Sequence, residues 1–264
     1  MDIFQTIILG LVQGLTEFLP ISSSAHLVLI PKLSGLKDQG LAYDVVLHFG
    51  TLCAIVYYYR CSLLSMSKSF FSSLQTKRLE GDASLAWAVL LGTLPVGLAG
   101  IFFKNDISIN LRSVEVIAFA TIFFGLLLGF SDWLNRRMEM VRDMIRPSDV
   151  LIIGCFQVLA LIPGTSRSGI TISAALLVGL SRQMSIKFSF LLAIPVITLA
   201  TMVKLFDLVN GSSEVDWLML VLGFFISATT AYATVVFFVR LVDRIGFLPF
   251  VVYRILLGAL LLLF

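Results

Sequence analysis

QGLTEFLPISSSAH, residues 13–26, interrupts an apolar stretch that otherwise suits a membrane. It carries a carboxylate (Glu17), three consecutive hydroxyls (Ser22, Ser23, Ser24) and one of the chain's two histidines, His26. Proline lacks an N–H and disrupts a helix interior, so Pro20 breaks the stretch Ile3–Ile30 in its middle. Serine and threonine hydroxyls can re-satisfy the backbone groups freed by such a break. The segment therefore predicts helix, break, helix: a re-entrant hairpin that returns to the side it entered from.

A second stretch, Val150–Leu180, has the same design, broken at Pro163-Gly164. Gly10-Leu11-Val12-Gln13 matches Gly154-Cys155-Phe156-Gln157, an offset of 144 residues. Pro20-Ile21-Ser22-Ser23-Ser24 aligns with Pro163-Gly164-Thr165-Ser166-Arg167 at an offset of 143, after a one-residue gap. Tyr43–Arg60 then aligns loosely with Phe188–Leu205. An internal repeat of this kind organises the whole chain.

Between and after the two breaks lie apolar runs of about 20 residues, each long enough to cross a hydrocarbon core of roughly 30 Å as a helix. They are Leu41–Tyr59, Leu85–Phe103, Val114–Trp133, Ile186–Phe206, Trp217–Val239 and Phe247–Phe264. Only 13% of the 264 residues are charged and 58% are hydrophobic, against about 25% charged in a typical soluble domain. The expected architecture is an all-α polytopic membrane protein of two inverted-topology repeats, each a broken re-entrant helix hairpin plus three transmembrane helices. It forms one integral membrane domain, 1–264, with repeat 1 about 1–145 and repeat 2 about 146–264. Three spans is an odd number, so the second hairpin enters from the opposite face and the breaks can meet near the midplane, where such proteins place polar sites.

Loop charges set the orientation. One face collects Arg60, Lys68, Lys77, Arg78, Arg136, Arg137, Arg142, Arg146, Arg182, Lys187, Arg240 and Arg244; the other collects Lys32, Lys37, Lys104, Arg112 and Lys204. Twelve against five makes the first face cytoplasmic. Both termini are then non-cytoplasmic and the first hairpin opens outward. Asp2 in place of a basic n-region argues against a cleavable signal peptide. The net charge of +3 is small and spread over loops, which gives no sign of nucleic acid. Cys53, Cys61 and Cys155 have no metal-type spacing and read as small apolar residues.

Ionisable groups inside a membrane are costly and default to functional candidates. Glu17 follows Gln13 by four residues, so both side chains share a helix face. Glu17 suits a hard divalent cation or proton transfer. His26 lies close enough along the chain to activate one of the serines, attack by itself, or protonate a leaving group. His48 has no polar cluster around it and reads as packing or support. In the second break, Pro163–Thr171 (PGTSRSGIT), Arg167 offers a planar fork of donors that suits phosphate. Thr165, Ser166, Ser168 and Thr171 add hydroxyls, and a helix starting near Ser168 would aim its N-terminal N–H groups into the break. Arg167 could equally pair with Glu17 across the halves, and such a pair could open to receive an anion and a cation. Arg254 either snorkels to an interface or holds the core together. The residues by themselves point to hydrolysis or transport of an anionic, lipid-soluble, phosphorylated substrate.

At these residues the chain resembles the undecaprenyl-pyrophosphate phosphatase family, linked to bacitracin resistance. The motifs that carry the resemblance are Gln13-Gly-Leu-Thr-Glu17-Phe-Leu-Pro-Ile-Ser22-Ser-Ser-Ala-His26 and Pro163-Gly-Thr-Ser-Arg167-Ser-Gly. The resemblance covers essentially the whole chain. It implies removal of the terminal phosphate of undecaprenyl pyrophosphate in the bacterial plasma membrane, recycling the lipid carrier for cell-wall synthesis, with Mg2+ or Ca2+ as cofactor. Glu17 becomes the essential acid and metal ligand, Ser23 and His26 the candidates for nucleophile and acid/base, and Arg167 the pyrophosphate-binding arginine. Ser22, Ser166 and Ser168 become supporting hydroxyls, and together with Gln13 and Thr165 they are the expected substrate-binding residues. Many members carry a second glutamate where this chain has Gln13, which offers only a carbonyl oxygen. The partners implied are the polyprenyl pyrophosphate and membrane lipids, with a homodimer as a candidate assembly. A transporter or flippase of the same lipid is the rival expectation, because inverted repeats with midplane breaks also build transporters.

Overall fold

A computed structural model describes residues 3–34, 40–111, 113–209 and 216–263. Asp2, Lys37, Arg112 and Phe264, used above, lie outside these residues, as do the side chains of Lys32 and Lys104. The described chain is helical, with no strand beyond an isolated bridge between Arg142 and Leu180. In order, the helices are α1 (Ile3–Thr16), α2 (Ser23–Ser34), α3 (Leu41–Tyr58), α4 (Arg60–Thr76), α5 (Ala83–Asn110), α6 (Val114–Asn135), α7 (Pro147–Val158, followed by a 3-10 turn Leu159–Leu161), α8 (Arg167–Leu177), α9 (Arg182–Val209), α10 (Trp217–Ile245) and α11 (Leu248–Leu261).

The helix ends follow local chemistry. Ser113 caps α6 by accepting the Val116 N–H, and Asp216 caps α10 by accepting the Met219 N–H. Pro147 opens α7, where its missing N–H has no intrahelical partner to lose. Asp149 then accepts the Arg146 backbone N–H and a two-point contact from the Arg142 guanidinium, at 2.5 and 2.9 Å. Arg142 also donates to the Val178 carbonyl, which ties the start of α7 to the end of α8.

Four helices are long and apolar enough to cross a bilayer: Ala83–Phe103 of α5, α6, Arg182–Phe206 of α9, and α10. The chain is thus an integral membrane protein. Two of the six expected spans are shorter. α3 has 18 residues and α11 has 14, about 27 and 21 Å at 1.5 Å per residue. α3 ends at Tyr59, and residues 60–76, taken above as a charged loop, continue as the amphipathic helix α4. Its small, hydroxylated residues give a low apolar content that hides a helix from a search for spans.

The helices pack reciprocally. α1 lies on α10 and α7 lies on α5, so the first arm of each broken segment is buried against a helix of the other half. Glycines make the close approach possible. A Cβ at Gly14 would sit 2.8 Å from the Ser227 carbonyl oxygen, and one at Gly154 would sit 2.9 Å from that of Gly92. α6 packs on α11, α3 packs on both α9 and α10, and α8 is enclosed by α6, α7 and α9. The main core, around Phe18, Ile172, Phe190 and Phe238, lies where α8, α9 and α10 meet the first break. The outer surface is rich in exposed apolar side chains, Phe102, Ile101, Phe206 and Trp217 among them, as lipid contact requires.

Candidate active site

Both breaks are observed. In the first, the Glu17 N–H still reaches the Gln13 carbonyl at 3.0 Å, so Glu17 extends the face of α1 by one residue. Pro20 then interrupts the ladder, the Ile21 N–H turns back to Leu19 O, and Ser22 takes φ +73° before α2 begins at Ser23. In the second, the 3-10 turn leads through Gly164 (φ +93°) to Ser166 (φ +70°), and α8 begins at Arg167. A Cβ at Gly164 would stand 2.5 Å from the Ile117 carbonyl oxygen, so only glycine fits there.

The geometry corrects the alignment drawn from sequence. Ser22 and Ser166 both have positive φ, an uncommon state for a non-glycine residue, and 166 − 22 is 144. Ser22 Oγ meets Ser24 Oγ at 3.2 Å, and Ser166 Oγ meets Ser168 Oγ at 3.2 Å. The offset of 144 therefore runs through the break without a gap. The prolines misled the alignment, because the position matching Pro20 is Gly164 and not Pro163. In the corrected register Ser23 matches Arg167, and each is the first residue of its second helix.

Those two residues converge on one carboxylate. Ser23 Oγ donates to Glu17 Oε2 at 2.7 Å, and Arg167 Nη2 donates to Glu17 Oε1 at 3.3 Å. Gln13 Nε2 also donates to Oε2, at 3.0 Å. Arg167 is held from behind by the Ser189 carbonyl at 3.1 Å, and its guanidinium lies over the Phe18 ring. Side-chain exposure is 8% for Glu17 and 11% for Arg167, so the pair is nearly dry. A buried pair of this kind makes a weak contribution to stability, but loss of either partner leaves a costly bare charge.

The remaining expected residues fall in three places. Ser166 caps α8 by accepting the Gly169 N–H, and Ser168 Oγ crosses to the first break to donate to Leu19 O at 3.0 Å. Thr165 is buried, with a hydroxyl that lacks a partner among the described residues. Thr171 turns away from the break to the Arg167 carbonyl and the Ser189 hydroxyl. Among the described residues His26 is not paired with a serine hydroxyl. Its Nδ1 is 2.7 Å from the Ser22 carbonyl, which can only accept, so Nδ1 carries the proton. Its Nε2 then accepts from the Tyr253 hydroxyl at 2.6 Å.

Three further residues contribute: His48, expected only as packing or support; Tyr253, not expected at all; and Arg254, for which holding the core together was one of two expected roles. His48 Nε2 stands 3.9 Å from Glu17 Oε2, so the polar neighbour that sequence did not reveal comes from another helix. Its signal was present, since an intramembrane histidine is itself a candidate. Tyr253 gave none. Arg254 is fully buried and does not snorkel. It donates to Pro20 O (3.2 Å), Gly164 O (2.9 Å), Thr165 O (2.8 Å) and Thr121 O (3.0 Å), stapling both breaks to α6.

The family described as Bacitracin resistance protein BacA matches residues 6–260. The chain belongs to the BacA family. It is 53% identical over 261 residues to the undecaprenyl-diphosphatase of Vesicomyosocius okutanii, covering 99% of each chain. It is 52% identical over 264 residues to the undecaprenyl-diphosphatase of Ruthia magnifica, covering 100% of this chain and 99% of that one. The undecaprenyl-diphosphatase 2 of Stutzerimonas stutzeri is 54% identical over 264 residues, at 99% and 98% coverage. Both breaks and Tyr253 and Arg254 fall inside the stretch matched to the BacA family.

Proposed function

We propose that the chain is a membrane hydrolase that cleaves undecaprenyl diphosphate to undecaprenyl phosphate and inorganic phosphate, recycling the lipid carrier of cell-wall synthesis and conferring bacitracin resistance. The observation that carries this reading is the buried meeting of Glu17, Ser23 and Arg167 at the two breaks. The names and full-length similarity of the relatives support it. A guanidinium fork suits a phosphate, and the apolar outer surface suits a polyprenyl tail. In this reading the diphosphate replaces Glu17 as the partner of Arg167, so the cation in the site is never left bare.

A divalent cation, Mg2+ or Ca2+, belongs to the same proposal. Gln13 Oε1 is a buried acceptor without a partner among the described residues, and an oxygen of that kind beside a carboxylate fits a hard cation. Glu17 and Gln13 would hold it, with diphosphate oxygens completing the set. When bound, such an ion neutralises charge on the diphosphate.

The protein's own groups divide the remaining work. Ser23 Oγ, already hydrogen-bonded to the Glu17 carboxylate at 2.7 Å, attacks the terminal phosphorus as its proton passes to that carboxylate at Oε1, the oxygen freed when the diphosphate takes Arg167. The bond from that phosphorus to the bridging oxygen breaks and undecaprenyl phosphate leaves. Arg167 and the N-terminal N–H groups of α8 hold the transferring phosphoryl group. Water then attacks the phosphoserine, the Ser23 Oγ–P bond breaks, Oγ regains the proton held on Glu17 and inorganic phosphate leaves. His26, whose ring nitrogens are engaged by Ser22 and Tyr253, serves proton transfer from that water.

The same proposal makes the chain one integral domain of two inverted repeats. Both termini are non-cytoplasmic and the site opens to the outer face. The constant offset of 144 between matched features, the reciprocal packing of α1 on α10 and α7 on α5, and the loop charges support this arrangement. The test is phosphate release from undecaprenyl diphosphate by the detergent-purified protein, with and without a chelator. Release should need the cation and vanish in Glu17→Ala and Arg167→Ala. Lipid movement across vesicles with no phosphate release would overturn the reading.

A further inference from the structure

We infer that His48 is a nitrogen ligand to the divalent cation at Glu17, giving the site a mixed nitrogen and oxygen donor set. This rests on the cation proposed above and goes beyond it in naming a third protein ligand, from α3, outside both breaks.

The argument starts from the imidazole. Its Nδ1 lies 2.7 Å from the Asp44 carbonyl oxygen. A carbonyl oxygen can only accept, so Nδ1 carries the N–H, and in the neutral ring Nε2 presents a bare lone pair. That lone pair stands 3.9 Å from Glu17 Oε2, a second lone-pair atom. Oε2 also accepts from Ser23 and Gln13, but neither bond gives the Nε2 lone pair a partner, and a cation beside the carboxylate would. The Glu17 side chain is 8% exposed and that of His48 26%, so an ion can reach the gap. Arg167 does not supply that positive charge, because its guanidinium takes the other oxygen, Oε1. Gln13 Oε1, on the amide whose Nε2 donates to Glu17 Oε2 at 3.0 Å, is buried and without a partner among the described residues, a third acceptor in the same cluster. Two atoms that each bind one ion at about 2.1 Å are at most about 4.2 Å apart, so the observed 3.9 Å is within reach of a single ion. The tether of Nδ1–H to a backbone carbonyl is also the usual way a metal-bound histidine is oriented.

No set of three or more His, Cys, Asp or Glu side chains gathers for a metal among the described residues. The amide oxygen of Gln13 is therefore what brings the protein's ligands to three. One imidazole among oxygens weakens the fit to Ca2+, which takes oxygen ligands. Mn2+ suits the carboxylate and amide oxygens and binds nitrogen as well, which makes it a working probe of the set.

The test uses Mn2+ as the probe, titrated into the full-length protein in detergent and read by pulsed electron paramagnetic resonance. Bound Mn2+ should show coupling to a histidine 14N nucleus. The chain has two histidines, His26 and His48, so the coupling should disappear in His48→Gln and persist in His26→Gln. His48→Gln should also weaken Mn2+ binding by about tenfold or more. Labelling the histidines of the unmutated protein with 15N should convert the coupling to its 15N form, a check that needs no variant. Tight Mn2+ binding that Glu17→Gln abolishes, but with no histidine coupling, would overturn the inference while leaving the cation at Glu17 standing; His48 would then be a charge partner. Coupling lost in His26→Gln would overturn it equally. Mn2+ binding that is absent, or indifferent to Glu17→Gln, would overturn the cation reading and the inference together.

Discussion

Glu17 spends its two oxygens differently. Oε1 faces the cation from the second break, while Oε2 gathers the hydroxyl, the amide and the imidazole. The division predicts distinct losses. Arg167→Lys keeps the charge but gives up the fork, and should lower phosphate release by about 10²-fold or more, the usual result of removing a donor aimed at developing charge. Ser23→Ala should abolish a phospho-adduct on the protein, and mass spectrometry of protein quenched during turnover locates it; an adduct on His26 would reverse the assignment. Tyr253→Phe removes the donor to His26 Nε2 and leaves the ring stacking in place. One hydrogen bond is worth about 1 kcal/mol, so turnover should fall several-fold, with the apparent affinity for the lipid little changed. At this scale much was readable in advance, because Glu17, His26 and Arg167 are ionisable groups in apolar surroundings. Tyr253 was not, because a tyrosine among aromatic and aliphatic neighbours looks like any wall residue until its hydroxyl finds a partner 227 positions away.

The elements explain why the site keeps its shape. Arg254, on α11, binds three carbonyl oxygens drawn from both breaks and a fourth from α6. Each such bond from a charged donor is worth about 1.5–3 kcal/mol, and no single ammonium group reaches four carbonyls set in a fan. Arg254→Lys should therefore lower the thermal midpoint in detergent by several degrees, and Arg254→Met by more, with activity lost in step. Gly154→Leu should separate α7 from α5, since its first carbon alone would stand 2.9 Å from the Gly92 carbonyl oxygen. The two breaks were legible because proline and glycine punctuate them. Their register was not, because the feature that aligns them is a positive φ at Ser22 and Ser166, a backbone state that serine does not announce. α4 was missed because a helix this rich in serine has neither a long apolar run nor a strong charge pattern.

For the whole molecule, the proposed topology places α1 and α11 so that both ends of the chain face away from the cytoplasm. Alkaline phosphatase fused at either terminus should be active, and green fluorescent protein fused there should stay dark; the reverse pattern would invert the assignment. On the opposite face, Asp149 anchors α7 outside the spanning segments. Burial alone would raise its carboxyl pKa, but hydrogen bonds from Arg142 and from the Arg146 backbone, with both guanidinium charges, hold it below the usual value. A lowered native pKa adds stability that is fully present above the unfolded value of about 3.9 and is lost as pH falls through the native one. The gap in thermal midpoint between the natural chain and Asp149→Asn should thus be widest near neutral pH and close only below about pH 4. Four of the six expected spans, α5, α6, α9 and α10, were legible from length and hydropathy, whereas α3 and α11 came out shorter than their apolar runs. How α1 and α7 reach across to α10 and α5 was not legible, because glycine-lined contacts between helices leave no period in the sequence.

The Arg254 staple also decides how the chain can be divided. The carboxylate and the serine lie before residue 135, while both arginines lie after residue 146, and one of those arginines holds Pro20 in place. Cut between Arg137 and Arg146, the gene would encode two fragments, each with half of the chemistry and an unsupported break. Expressed singly, neither should release phosphate. Expressed together, they should reassemble in the bilayer and regain activity, and Arg254→Met in the second fragment should block the rescue even though the cut lies far from it in sequence.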